Sequence, residues 1–137
     1  MKYWLVKSEQ SCWSWNDQVK AGAKGTAWTE VRNHLAKKHL QTMKKDDQCF
    51  FYHSNEGKDI VGIVEVIREA YPDPTDESGK FFAVDVRAVN SMQKPITLGD
   101  IKKVESLAKM SLLNSARLSV QPVTAAEWKT ICKMGGL

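Results

Sequence analysis

Apolar and polar positions along the chain predict four main strands. Residues 2–6 and 49–53 are short apolar runs that include aromatic side chains. Residues 60–70 are rich in β-branched side chains, and residues 82–88 alternate apolar and polar positions, as in a strand with one wet face. Gly62 stands alone inside the third run, and an isolated strand glycine predicts a bulge or a close backbone approach.

Helices are predicted between and after these strands. Ser14 opens an S-x-x-D capping box, and Thr97 and Thr124 open two more near the C-terminus. Residues 30–43 place apolar side chains on one helical face. Residues 117–121 predict a fifth strand, stopped by the proline that follows. Four or five strands with short interspersed helices predict an α+β domain or a small mixed β-barrel.

Length and cysteine usage narrow the class of protein. The 137 residues correspond to a single domain over residues 1–137. No apolar run reaches the roughly 20 residues that span a bilayer, and the N-terminus turns polar too early for a signal peptide. Cys12, Cys49 and Cys132 are widely spaced and odd in number, which argues against a disulfide framework. We therefore expect a cytoplasmic protein without membrane contact. We also expect a monomer, although no sequence feature fixes the oligomeric state.

The chain carries a modest excess of basic residues. Lys and Arg total 20 against 16 Asp and Glu, a formal net charge of +4. Five basic residues fall in an acid-free stretch that covers the second predicted helix and the two residues after it: Arg32, Lys37, Lys38, Lys44 and Lys45. This stretch is either a solvated helix face or a surface that contacts nucleic-acid phosphates.

Motifs for catalysis and metal binding are missing from the sequence. It has no glycine-rich nucleotide loop. His34 and His39 are five residues apart, so on a helix they do not share a face for zinc. His53 and Ser54 are neighbours on a predicted strand and point to opposite faces. The sequence predicts no metal site, no cofactor and no enzymatic activity.

Five tryptophans are a high number for this length. Trp4 and Trp128 lie within strand and helix patterns and are predicted to be core residues. Trp28 lies in a polar loop just before the basic helix, and this position does not by itself predict a core residue. An aromatic ring with nearby amide, hydroxyl and guanidinium groups suits a nucleic-acid base held out of its stack.

Five segments of the chain resemble the EVE domain family, which belongs to the PUA-like superfamily. They follow the family order and cover nearly the whole chain: residues 3–9, Trp28 with residues 31–33, residues 51–55, residues 69–73 and residues 117–122. The chain departs from the family pattern at Gln10, where the family has Pro, and at His34, where it has Tyr. It also has Thr29 and Glu30 where the family has Asp or Glu followed by Gly.

The resemblance implies an α+β fold, an open mixed β-barrel of the PUA-like type with flanking short α-helices. It also implies a non-catalytic nucleic-acid-binding module whose pocket admits a flipped, modified base, as in the related YTH domains. The implied partner is DNA with modified cytosine, or modified RNA. The pocket residues that the resemblance assigns are Lys7, Ser8, Glu9, Trp28, Arg32, Asn33, His53, Ser54, Asn55 and Ser119.

Two other function classes stay open at this point. The pocket of a plain interaction module would take a small metabolite or a peptide, and its binding would be insensitive to salt. A nuclease or base-processing enzyme would use His53 with a nearby carboxylate as acid and base, and loss of turnover in His53→Ala would reveal it.

Overall fold

The computed structural model describes residues 1–55 and 57–137. It contains six strands, here β1 to β6: Tyr3–Glu9, Thr26–Trp28, Gln48–Ser54, Asp59–Pro72, Phe82–Thr97 and Val120–Val123. Five α-helices, α1 to α5, span Trp15–Lys20, His34–Thr42, Leu98–Lys102, Ser111–Asn114 and Ala125–Met134. Short 3₁₀ helices cover Gly22–Lys24 and Glu105–Leu107. No helix in these described ranges is long and apolar enough to cross a membrane.

All six strands form one sheet, in the order β2-β5-β4-β3-β1-β6. β1 pairs in parallel with β3, and the other neighbours are antiparallel. β2 and β6 lie at the two ends of this order, so the sheet does not close on itself. The predicted α+β architecture, an open barrel with short helices around it, is confirmed.

Strand alternation divides the apolar side chains between two cores. On β1, Trp4 and Val6 join the first core with the apolar face of α2, whereas Leu5 joins the second core with Trp128 and Ile131 of α5. Successive strand residues point to opposite faces, so one strand supplies both cores. Trp4 is 3% exposed and Trp128 is 7% exposed, which confirms the prediction that both are core residues.

The three predicted capping boxes are confirmed. Ser14, Thr97 and Thr124 each accept a hydrogen bond from the backbone of the third helical residue, whose carboxylate accepts one from the cap. The second helix begins later than predicted, at His34 rather than at residue 30. The reason is local: Asn33 caps α2 by accepting from the Ala36 amide, and Glu30 has a positive φ of 66° that no α-helix contains.

Two strands differ from the sequence pattern because their pairing is long-range. The three residues of β2 pair with β5 and had no apolar run of their own to predict them. β6 begins at Val120 and continues through Pro122, which lies opposite Trp4. Proline is tolerated there because β6 is an edge strand, where a missing N–H breaks no ladder.

The bulge expected at Gly62 is confirmed, and the segment that approaches it closely is a side chain rather than backbone. The pairing of β4 with β5 shifts register between Ile60 and Gly62, and that of β3 with β4 shifts opposite it. The indole of Trp15 crosses the strand so closely that a Cβ at position 62 would lie 2.2 Å from ring atom Cζ2.

Acid is expected to destabilise this fold between about pH 4 and about pH 2. Backbone and side-chain hydrogen bonds from Ser14 lower the pKa of Asp17, and those from Thr97 do the same for Asp100. Hydrogen bonds from Ser78 and Phe81 lower the pKa of Asp76 to about 2. Each carboxylate thus stabilises the fold above its unfolded pKa, and this contribution is lost as pH falls through the folded pKa. Thermal melts across this range test the expectation, and a constant Tm contradicts it.

Candidate functional site

A cleft of about 760 Å³ opens where the barrel fails to close. One wall comes from the end of β1 and from Ser119 just before β6. The other comes from β2 and the loop of residues 29–33 that follows it. Cys12 and Trp13 complete the lining. The cleft therefore lies between the two edges of the sheet, and its volume is in the range of small-ligand sites.

Seven of the ten predicted pocket residues line this cleft together: Lys7, Ser8, Glu9, Trp28, Arg32, Asn33 and Ser119. His53, Ser54 and Asn55 lie outside the lining, because the parallel pairing of β1 with β3 sets Ser8 beside His53 and Glu9 beside Ser54, one strand further from the opening. Asn55 acts indirectly, since its Nδ2 donates to Glu9 Oε1 at 2.9 Å.

His53 is enclosed rather than presented to a ligand. Its side chain is buried, and its Nε2 accepts a hydrogen bond of 3.1 Å from the backbone N–H of Trp15. Its Nδ1 lies 3.8 Å from Asp59. Burial lowers the pKa of His53, and the nearby Asp59 charge opposes this only in part. An imidazole held in this way packs α1 against the sheet and is badly placed for acid–base catalysis.

The side chains of Lys7 and Ser8 in the cleft wall donate hydrogen bonds to nearby backbone carbonyls. The Lys7 ammonium donates to the Ala116 carbonyl at 2.5 Å, and burial lowers its pKa. The Lys7 backbone N–H donates to the Ser119 carbonyl at 2.9 Å. The Ser8 hydroxyl donates to the Trp13 carbonyl at 2.5 Å, so its remaining capacity toward a ligand is as an acceptor.

Trp13 is a cleft residue that the sequence analysis missed. Its half-buried ring lines the cleft, and its indole N–H donates to Gln18 Oε1 at 2.8 Å. Gln18 is fully buried, and its amide donates to the Val86 carbonyl at 3.4 Å. The ring is therefore held in a fixed orientation from behind. Its place directly after the Lys-Ser-Glu segment and before the Ser14 cap was the available sequence signal.

Trp28 belongs to the core and to the cleft at once. It is 7% exposed and packs edge to face against Phe51, with ring centroids 5.6 Å apart and planes at 86°. The sequence pattern had set Trp28 apart from the predicted core tryptophans because of its loop position. The structure corrects this, since Trp28 is a core residue. The register of β2 against β5 turns the indole inward, so that only a small part of it reaches the cleft.

The loop of residues 29–33 is held by one buried carboxylate. Asp73 accepts from the Glu30 backbone N–H at 2.8 Å and from Arg32 Nη1 at 3.1 Å. Thr75 supplies its backbone N–H and its hydroxyl to the other Asp73 oxygen. Burial raises the pKa of Asp73, but these hydrogen bonds outweigh burial and the pKa lies below its usual value.

Charge around the cleft is balanced. Lys7 and Arg32 face Glu9 and Glu30 in the lining. Lys38, Lys44 and Lys45 are exposed, Lys37 is half-buried, and Asp46 and Asp47 follow them directly in the sequence. Residues 1–93 contain 13 basic and 13 acidic residues, whereas residues 94–137 contain seven basic and three acidic. The stretch from Arg32 to Lys45 keeps its five basic residues, but an excess of acidic residues in the rest of residues 1–93 offsets them.

The histidines near the basic helix are used in packing. His34 stacks on Phe81 with centroids 5.3 Å apart, and His39 contacts the Trp4 ring at 5.6 Å. Across residues 1–55 and 57–137, no group of three or more His, Cys, Asp or Glu side chains is arranged to hold a metal ion.

The fold and the site together define the class of protein. A six-stranded open barrel with helices on both faces and a cleft at its open edge is an α+β domain of the PUA-like type. The chain belongs to the EVE domain family, whose model matches residues 2–134.

Relatives share both sequence and structure with this chain. Mouse thymocyte nuclear protein 1 is 35% identical over 165 aligned positions, which cover 96% of this chain and 73% of the mouse protein. The solution structure of Rpa0253 from Rhodopseudomonas palustris is 61% identical with a TM-score of 0.95, covering 99% of this chain and 94% of that one. The crystal structure of human THYN1 in complex with DNA containing 5-methylcytosine is 30% identical with a TM-score of 0.90, covering 100% and 99%.

Proposed function

We propose that this chain is a non-catalytic nucleic-acid-binding module that holds a flipped, modified base in the cleft. The observation that carries the proposal is the cleft itself. It lies at the open edge of the barrel with Trp13 and Trp28 in its lining, in a chain whose fold matches a relative crystallised with 5-methylcytosine DNA. Modified cytosine in DNA is the ligand we favour, with modified RNA as the alternative nucleic acid.

Stacking would supply affinity for any base, and hydrogen bonding would supply discrimination between bases. Aromatic stacking contributes about 1–3 kcal/mol per base and is blind to sequence. Burying one methyl group adds only about 0.8 kcal/mol, or roughly a fourfold preference for the methylated base. Stronger discrimination needs polar groups that a wrong base leaves unpaired, and Ser8, Glu9 and Asn33 are the lining groups that offer them.

The carboxylates of the lining favour an amino-bearing base. Glu9 and Glu30 both line the cleft, and an ionised carboxylate accepts hydrogen bonds only. Cytosine presents a donor at its exocyclic N4, whereas thymine presents an acceptor at O4. Thymine carries the same 5-methyl group as 5-methylcytosine but lacks the N4 donor. We therefore expect affinity to fall in the order 5-methylcytosine, cytosine, thymine. Titration with three otherwise identical oligonucleotides tests this order, and equal affinity for thymine contradicts it.

The path of the phosphate backbone is the second part of the proposal. We assign it to Lys37, Lys38, Lys44 and Lys45. Lys44 and Lys45 border a second cavity of about 430 Å³ that Lys2 also lines. The buried Asp47 carboxylate beside them accepts from the Lys44 and Lys2 backbone N–H groups and from the Trp4 indole, so it faces inward. Lys38, Lys44 and Lys45 are exposed to solvent, and Lys37 is half-buried.

The salt dependence of DNA binding distinguishes a phosphate backbone bound along these lysines from one bound over the basic C-terminal third. We expect the double variant Lys44→Gln, Lys45→Gln to bind DNA more weakly and to lower the slope of log K against log salt by about 0.9 for each lost phosphate contact. The matched control is Lys102→Gln, Lys103→Gln, which removes two exposed lysines from the end of α3. A reduced slope only in the control would place the backbone over the C-terminal helices instead.

A small amino-bearing metabolite or a peptide is the second candidate ligand, and the balanced charge of the cleft is what favours it. Its binding would be nearly independent of salt. We further propose that the protein is cytoplasmic, which is supported by the free cysteines at positions 12, 49 and 132. We also propose that it acts as a monomer.

A further inference from the structure

The turn between β4 and β5 contacts the cleft wall. Asp73 follows the last residue of β4, and its side chain is completely buried. Its four hydrogen bonds come from two places only: Glu30 and Arg32 in the cleft loop, and Thr75 in its own turn. The second guanidinium nitrogen of Arg32 also donates to the Thr75 hydroxyl, at 2.9 Å.

The loop needs such an anchor because its backbone is strained. Glu30 has a φ of 66°, in the left-handed region that residues other than glycine adopt at a cost. The Glu30 amide is the group that Asp73 holds, at 2.8 Å. An unusual backbone conformation is therefore paired with a buried, ionised acceptor 43 residues away in sequence.

A second contact joins the same two elements. Phe81, at the end of the turn, stacks on His34, the first residue of α2. The Arg32 guanidinium lies 5.4 Å and the Lys37 ammonium 5.6 Å from the same ring centroid. The turn thus contacts the cleft loop and the start of the helix that follows it.

We propose that Asp73 is a positioning residue that fixes the cleft wall of residues 29–33 in its ligand-binding form, and that Arg32 is the tether to Asp73 rather than a phosphate ligand. The ligand-binding half of this inference rests on the proposed function; the loop-anchoring half does not. It also revises the sequence-based assignment of Arg32, because the guanidinium is already engaged by Asp73, Thr75 and Phe81.

Amide hydrogen exchange tests the anchoring half without any ligand. We expect Asp73→Asn to speed exchange across residues 29–33 by about tenfold or more, since one charged acceptor is lost. Asp76→Asn is the matched control: within the described residues, this carboxylate accepts its hydrogen bonds from Ser78, Lys80 and Phe81 of the same turn and none from the loop. Arg32→Gln, at a half-exposed side chain, provides a milder second variant. The anchoring is overturned if residues 29–33 exchange at the wild-type rate in both the Asp73 and the Arg32 variants. It is also overturned if the Asp76 control raises their exchange rate as much as Asp73→Asn does.

Salt titration tests the tether half. We expect Arg32→Gln and Asp73→Asn each to weaken binding of a 5-methylcytosine duplex by about tenfold. We also expect each to leave the salt slope unchanged and the double variant to be no weaker than either single one. An Arg32→Gln slope lower by about 0.9 identifies a phosphate contact and overturns the tether. A wild-type protein that binds no nucleic acid refutes the proposed function and the ligand-binding half, while the exchange result still decides the anchoring half.

Discussion

Replacing Gly62 with Ala is expected to destabilise the fold by about 3 kcal/mol or more, at the upper end of what an extra core methyl costs. The new Cβ would lie 2.2 Å from Cζ2 and 2.4 Å from Cη2 of Trp15, far inside van der Waals contact. The indole cannot move aside cheaply. Its N–H donates to Ser91 at 3.0 Å, and its ring packs edge to face on Phe51 with centroids 5.2 Å apart.

Gly99→Ala is the matched control for this prediction. A Cβ at position 99 would meet its nearest neighbour, the Thr97 hydroxyl, at an ordinary 3.7 Å, and Gly99 lies within α3. Alanine there is expected to be neutral or to stabilise the protein by up to about 1 kcal/mol. Urea denaturation of both variants gives the two free energies of unfolding. A Gly62→Ala protein within about 0.5 kcal/mol of the wild type would contradict the packing of Trp15 across β4.

Trp13→Ala is expected to weaken binding of a 5-methylcytosine oligonucleotide by roughly 5- to 150-fold, the loss that corresponds to one stacked base. Trp13 is the better target because its ring is only half-buried, whereas Trp28 packs in the core. Removing a core tryptophan costs about 3–5 kcal/mol of folding free energy and would confuse loss of the site with loss of the fold.

Trp13→Phe is the control that keeps an aromatic face at the same position. Phenylalanine lacks the N–H that donates to Gln18, so we expect a smaller loss of affinity than in the alanine variant. Fluorescence anisotropy at one salt concentration measures both variants. If Trp13→Ala binds as tightly as the wild type while remaining folded, Trp13 does not contact the base.

Local signals in the sequence were sufficient for much of the fold. The capping boxes at Ser14, Thr97 and Thr124 depend on residues three positions apart, and each is present in the structure. The apolar runs predicted the strands because burial follows directly from side-chain chemistry. Gly62 was informative because an isolated glycine in a β-branched run rarely lacks a packing reason.

Features built from distant contacts could not be predicted in this way. The orientation of Trp13 depends on Gln18 and through it on Val86 of β5. The position of the cleft loop depends on Asp73 in a different turn. The family resemblance assigned His53 to the pocket, but the parallel pairing of β1 with β3 places it behind Ser8, and no periodicity in the sequence reports that pairing.

The five tryptophan side chains provide the most direct test of the proposed cleft. They are distributed over the molecule: Trp13 and Trp28 line the cleft, Trp4 and Trp15 are buried in the first core outside the lining, and Trp128 is buried in the second core. We would titrate ¹⁵N-labelled protein with a duplex that carries a single 5-methylcytosine and follow the indole N–H resonances. Our expectation is that the Trp13 and Trp28 signals shift while those of Trp4 and Trp128 stay in place. Saturated binding that leaves the Trp13 and Trp28 signals unmoved would contradict it.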